Sequence, residues 1–378
     1  MRQHSHACRS LAGTGFAGIV LALSALLVPG QLISAAHAEP PAKQLFGAKA
    51  LPADMPAQSV GFYSKGCIAG ARAIPVDGPD WQVMRLSRNR RWGHPELLKT
   101  IEALSVKAKQ DGWNGLLVGD ISQPRGGPML TGHASHQIGL DADIWFTPMP
   151  DQRMTYKERE ETSAISVLKA NSNYVDDARW KPHFTSLLRD AASYSQVERI
   201  LVHPGVKKKL CDTVKGDRSW LSKIRPYYGH HYHFHLRIKC PQGSGNCKPQ
   251  AEVAQGEGCD KSLSWWFDVA LAPKKAKKPD KNQKPEKPKK PRYLTLSQMP
   301  SQCATILNAD EVPEQRAEFR TRETAFSAPE IDIPKVDPMA ILASKPIEAS
   351  KNVASNAAAS GNTAIPANVP VPMPRPLR

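Results

Sequence analysis

Histidine and aspartate gather in two short stretches of this chain, GHASHQIGLDADIWF from Gly132 to Phe146 and GHHYHFHLRIKC from Gly229 to Cys240. In the first, His136 and Asp143 are seven residues apart. A helix would separate them by ~10 Å along its axis, whereas two ligands bound at ~2.1 Å to one zinc ion lie only a few ångströms from each other. The chain must therefore curl back between them, and Gly139 is the residue that permits the turn. From Leu140 onward the residues alternate, with Leu140, Ala142, Ile144 and Phe146 on one face of a strand and Asp141, Asp143 and Trp145 on the other.

The second stretch alternates in the same way. Phe234, Leu236 and Ile238 form its predicted buried face, and His231, His233, His235 and Arg237 an exposed one. A His-x-His pair on one strand face holds two imidazoles ~7 Å apart, so one can bind a metal while the other addresses water on it. Three protein ligands leave the fourth zinc position to water, whose pKa falls toward ~7, and such a site hydrolyses without a serine or cysteine nucleophile. A polar strand with no metal is the plainer reading, but it leaves a face of histidines opposite an apolar face without a purpose. Competing chemistries lack their parts: no G-x-S-x-G elbow, Walker-type glycine loop or helix-borne HExxH occurs. Asp141 and Asp143 could pair as glycosidase carboxylates, but both adjoin the histidines, where a metal uses them better. His4, His6, His37, His94, His183 and His203 are isolated and receive no role.

These strands need a scaffold. Leu97, Leu98, Ile101, Leu104 and Val106 recur at helical spacing in His94 to Trp113, with Gly112 near the end, and predict a helix. Further helices are predicted over His183 to Ser195 and Pro204 to Lys215, and strands over Gly115 to Ile121, Arg199 to Val202 and Tyr232 to Lys239. The pattern is α+β, with a mostly antiparallel central sheet flanked by helices.

The ends of the chain bound the biology. Arg2, His4, His6 and Arg9 precede an apolar run from Leu11 to Ala36 that closes on Ala36-His37-Ala38, so residues 1–38 read as a cleaved secretory signal. Gly13, Gly15, Gly18, Pro29 and Gly30 interrupt the run and argue against a membrane anchor. No later stretch reaches the ~20 apolar residues that a membrane span needs. Once Cys8 leaves with the signal, six cysteines remain, an even number suited to three disulfides in an oxidising compartment, in any of fifteen pairings. Residues 39–270 read as one catalytic domain, 271–292 as a Lys/Pro-rich linker, 293–311 as a short segment carrying Cys303 and stapled back to the domain, and 312–378 as a disordered tail. Of the net charge of +16, half sits between Lys274 and Arg292. That run is a solvated tether or an attachment point for an anionic envelope polymer. Export makes nucleic acid an unsuitable partner.

The two histidine motifs resemble those of the penicillin-insensitive murein endopeptidases, a group related to D-Ala-D-Ala carboxypeptidases, lysostaphin-like enzymes and the hedgehog domain. The resemblance extends from FYSKGCIAGA near Cys67, through VMRLSRNRRWGHPELL and WKPHFTSLL, to Trp265-Trp266-Phe267, and so covers most of the folded domain. It implies a hedgehog-like fold and a periplasmic zinc peptidase that cleaves the D-alanyl to meso-diaminopimelate cross-link of peptidoglycan. Carried over by position, it implies zinc on His136, Asp143 and His235, with His233 as general base and His230 stabilising the tetrahedral intermediate. His231 receives no role. Disulfides are implied between Cys67 and Cys303, Cys211 and Cys259, and Cys240 and Cys247. A second metal in the family would use His133 and a later Asp and His, but the corresponding loop here reads Asn171-Ser172-Asn173-Tyr174. Two alternatives share the motifs: a D,D-carboxypeptidase or dipeptidase acting on murein peptides, and a wall-binding module that has lost activity.

Overall fold

The structure is a computed structural model that describes residues 39–273, 293–319 and 333–334. The expected signal segment, most of the basic linker and most of the tail lie outside the described residues. Among the described residues, no helix is long and apolar enough to cross a membrane.

Seven strands form the central sheet: β1 (Asp77–Gly78), β2 (Trp81–Val83), β3 (Leu116–Val118), β4 (Asp141–Pro148), β5 (Val197–Val202), β6 (Ile224–Pro226) and β7 (His233–Ile238), in the order β6-β5-β7-β4-β3-β2-β1. The pairs β6/β5 and β3/β2 are parallel and the other four antiparallel, so the sheet is mixed and mostly antiparallel in an α+β chain. The two motif strands, β4 and β7, are neighbours at its centre.

Alternation decides what each face carries. Ala142, Ile144 and Phe146 of β4 and Phe234, Leu236 and Ile238 of β7 enter the main core together with α1 (Pro95–Gln110), α2 (Pro182–Ser193) and α3 (Pro204–Thr213). In α1 the apolar stripe Leu97, Leu98, Ile101 and Leu104 is wholly buried, each leucine contributing about 1.5–3 kcal/mol. His94 caps α1, its Nδ1 accepting from the Glu96 amide at 3.2 Å, and His203 caps α3 through the Gly205 amide at 3.0 Å. Two histidines without chemical duty thus satisfy helix N-termini. The opposite face of β4 and β7 is free for polar side chains.

A second cluster joins the hairpin Gln58–Phe62/Lys65–Ala69 to α4 (Gln302–Asn308), clamped by the Cys67–Cys303 disulfide. The packed chain continues past Val312, where composition suggested that disorder begins. Ala317 is fully buried, the Phe319 amide donates to the Ala73 carbonyl at 2.8 Å, and Arg91 pairs with Glu314. Arg72 also donates to the Arg316 carbonyl, and these scattered contacts are too short a pattern to register as periodicity.

Candidate metal centre

Asp143 and His235 are directly opposite each other in the β4/β7 register, as are Asp141 and Arg237, and His233 and Trp145. One residue of slip would turn all of them into the core. Backbone bonds on the other edge of β4 fix it further: the Gly119 amide donates to the Asp143 carbonyl (2.8 Å) and the Asp143 amide to the Asp120 carbonyl (3.0 Å). His136 arrives from the preceding loop. Gly139 has φ +67°, and a Cβ there would lie 2.4 Å from Ile68 Cδ1. His136 itself has φ +66° and His230 φ +54°, left-handed conformations that residues other than glycine seldom adopt and that recur at functional sites.

The side chains converge on one point. His136 Nε2 is 3.1 Å from His235 Nδ1 and 3.4 Å from Asp143 Oδ1, and His235 Nδ1 is 3.3 Å from the same oxygen. The outer nitrogens settle the tautomers. His136 Nδ1 lies 2.6 Å from the Ile121 carbonyl, which only accepts, so Nδ1 carries the proton. His235 Nε2 lies 3.0 Å from the Asp141 carboxylate and likewise carries its proton, though off the line of a well-aligned hydrogen bond. In their neutral forms both rings therefore turn a lone pair inward, beside a carboxylate oxygen that has no hydrogen-bond donor. Three buried acceptors facing one another are unfavourable unless a positive species lies between them. The edges of this triangle, 3.1–3.4 Å, fit the ~3.4 Å that tetrahedral bonds of about 2.0–2.1 Å require. The donor set of two imidazoles and a carboxylate suits a divalent metal.

Charges around the triangle set the ionisation of its members. Asp141 receives Arg237 Nε at 2.6 Å and Nη2 at 3.1 Å, and its Oδ2 also accepts the His136 amide at 3.0 Å. Burial raises the pKa of Asp141, but Arg237 and His235 outweigh it and keep the carboxylate ionised. Burial likewise opposes ionisation of Asp143, where His233, His136 and His133 prevail and hold it well below the ordinary carboxylate range. For His136, burial disfavours the cation, yet the surrounding carboxylates, Asp143 foremost, raise its pKa. Burial pushes His233 down to about 4 and His230 down to about 3.

His133 belongs to the same cluster. Its Nε2 lies 2.9 Å from Asp120 Oδ2 and its Nδ1 3.6 Å from Asp143 Oδ2. His133, His136 and Asp143 form an overlapping ligand group, their atoms all within 4.8 Å of one another. Asp120, for which no motif argued, is buried against Arg88 (3.1 Å) and Arg90 (2.8 Å), and Arg90 also holds Thr131. Its only signal was an acidic residue at the end of a buried strand.

His233 Nε2 is 3.5 Å from Asp143 Oδ1, and the His230 ring lies 4.9 Å from that of His233. His231 stands apart, bonded to Ser166 Oγ at 2.9 Å. The histidine face of β7 is not exposed as expected: His233 and His235 retain 7% and 2% of their accessibility, with His136 packed on His235 and the His230 ring against both. Nor do the two imidazoles serve separate points, since both reach Asp143 Oδ1. Contrary to the expectation that no S-x-x-K occurs, Ser166 to Lys169 has that spacing, but Lys169 turns to Asp177 and Ser166 Oγ to His231. The loop at Asn171 to Tyr174 offers no second metal its ligands: Tyr174 stacks on Phe267, and Ser172 Oγ accepts from the Tyr174 amide. The described cysteines are bonded as Cys67–Cys303, Cys211–Cys259 and Cys240–Cys247.

Residues 59–308 match the family described as penicillin-insensitive murein endopeptidase. Proteins of that name are similar along much of their length. The one from Haemophilus influenzae is 43% identical over 215 residues, 57% of this chain and 75% of the relative. The one from Pectobacterium atrosepticum is 41% identical over 254 residues, 67% of this chain and 87% of the relative. That from Klebsiella pneumoniae subsp. pneumoniae is 41% identical over 212 residues, 56% and 77% of the two chains. With this coverage, and with a metal-ligating cluster at the centre of its sheet, the chain belongs to the penicillin-insensitive murein endopeptidases, a family of hydrolases.

Proposed function

We propose that this enzyme is a zinc peptidase of the periplasm that hydrolyses the D-alanyl to meso-diaminopimelate cross-link, with His136, Asp143 and His235 as ligands. The observation that carries the ligand set is the triangle of inward lone pairs, tighter than the group completed by His133. Zinc bound there would supply Lewis acidity and a nucleophilic water at neutral pH. His136 and His235 would hold it as neutral donors, their outer N–H groups fixed by the Ile121 carbonyl and Asp141. His233, kept neutral by burial, is free to accept a proton beside Asp143. His230 already spends its Nδ1–H on the Tyr228 carbonyl, at 2.7 Å, so it can donate from Nε2 to a developing oxyanion only after taking up a second proton. His133, beside Asp120, would serve a weaker second cation only without the loop ligands of the family pattern.

Incubation with purified cross-linked dimer muropeptide tests the assignment. Monomers should accumulate; release of terminal D-alanine alone would make the protein a carboxypeptidase, and no product at all would make it a wall-binding module. Export rests on the Arg2 to Ala38 segment and is tested by finding Glu39 as the N-terminus of the secreted protein. The basic stretch from Lys274 to Arg292 is proposed to hold an anionic envelope polymer. Its replacement by a neutral linker should abolish salt-sensitive sedimentation with the envelope, and unchanged sedimentation would contradict that role.

A further inference from the structure

A row of aromatic rings that the hydrolytic machinery does not use begins at His230, beside the metal centre. From His230 the ring centroids step to Tyr227 (5.6 Å), Tyr228 (6.1 Å), Trp266 (4.9 Å) and Trp265 (5.4 Å). Phe267 follows, stacked on Tyr174 at 5.1 Å. The tryptophans end the short helix Lys261–Trp265 and begin a π-helical turn, Trp266–Ala270, closed by the Leu271 amide on the Trp266 carbonyl at 2.8 Å. Such turns are rare and concentrate at functional sites.

This segment is poorly buried for its composition. Leu263 is the buried side chain of the helix, the π-turn buries none, and Trp265 and Tyr228 stay 42% and 39% exposed. The core gains little from it, yet the Cys211–Cys259 disulfide and the Asp260 cap hold its start in place. An exposed aromatic surface that is rigidly mounted and continuous with an active site is a binding surface.

We propose that the ridge is a platform for the glycan strand of murein, with Trp265, Trp266 and Tyr228 stacking on the apolar faces of its sugar rings. The proposal rests on the murein endopeptidase reading of the site. The scissile cross-link is joined to its sugar by a peptide stem of a few residues, each spanning about 3.3–3.6 Å when extended. The sugars therefore lie on the order of 10–15 Å from the reacting bond, within the reach of the ring-by-ring path from His230 to Trp265. The stem itself carries carboxylates and an amine, for which a wall of rings is a poor partner, whereas pyranose C–H faces match it. A lipid surface is the competing occupant of exposed tryptophan: the ridge from Ser262 to Pro273 contains Asp268 and no lysine or arginine, but Lys261 and the basic run from Lys274 flank it, so the vesicle titration below decides between the two.

The test compares the full-length holoenzyme with its Trp265→Ala, Trp266→Ala and double variants on two substrates: intact sacculi, and a cross-linked peptide dimer freed of sugar. The double variant should lose about tenfold or more in kcat/KM on sacculi, since each stacked ring contributes roughly a few-fold to tenfold, and keep the parent's rate on the peptide dimer. Equal losses on both substrates, or none on sacculi, would overturn the proposal. Tryptophan fluorescence of the parent, titrated with peptide-free glycan strands and separately with anionic phospholipid vesicles, reads binding without hydrolysis. A saturable change with glycan alone is expected; a response to vesicles alone, or to neither, would overturn it. Failure of the parent to cleave either substrate would instead discredit the peptidase reading while leaving the fluorescence result to decide the platform.

Discussion

Asp141 does not touch the triangle of inward lone pairs, yet it governs two of its three members. It takes the outer nitrogen of His235, the amide of His136 and the guanidinium of Arg237. Asp141→Asn should therefore lower metal affinity about 10–100-fold, measured by competition with a graded chelator, while the melting temperature shows whether the fold survives an unpaired Arg237. Unchanged affinity would mean that His235 is oriented by packing alone. At this scale much of the site was legible. His136, Asp143, His233 and His235 stood out because ligand-type residues at short spacing on alternating strands are uncommon. Asp120 and the Ile121 carbonyl did not stand out, since one is a lone acidic residue and the other a backbone group with no signature in sequence. The left-handed backbone of His136 was hidden for the same reason.

Elements were predicted where periodicity was long. The helix read over His94 to Trp113 runs Pro95–Gln110, and the strand read over Tyr232 to Lys239 runs His233–Ile238. Short strands such as Asp77–Gly78 went unnoticed because two residues show no period. Where α2 meets the C-terminal end of α1, burial, a hydrogen bond to Asp111 and the charge of Asp111 raise the pKa of Asp190 to about 6. Lys107 pairs with Asp111 at 2.7 Å and lowers the pKa of Asp111, so of the two carboxyl groups Asp190 is the one whose affinity for a proton is raised. A carboxyl group with a raised folded pKa favours the native state below its unfolded pKa of ~4, and that advantage disappears as pH rises through ~6. Asp190→Asn should accordingly raise the melting temperature at pH 7.5 and change it little near pH 4. An equal shift at both pH values would show that the carboxyl does not titrate in this range.

Among the described residues, the segment from Tyr293 to Phe319 is tied back onto the domain. Cys303 ties α4 to the Cys67 hairpin across a sequence separation of 236 residues, and the buried Arg125 donates to the Ile306, Leu307 and Ala309 carbonyls at 2.8 Å each, capping the same helix. Removing the link with Cys67→Ser and Cys303→Ser together should cost about 2–5 kcal/mol and lower the melting temperature by on the order of 10 °C; no change would mean that Arg125 and the apolar cluster hold the segment unaided. Composition could place a staple here, but Arg125 lies in a loop whose sequence gives no hint of a partner some 180 residues away. The central claim, a metal held by His136, Asp143 and His235 cutting the murein cross-link, is tested most directly by digesting cross-linked dimer muropeptide before chelation, after it, and after adding back one equivalent of zinc. The account predicts monomer release, its loss with the metal, and its return with zinc in the parent but not in His136→Ala. Release that persists in metal-free protein would contradict it.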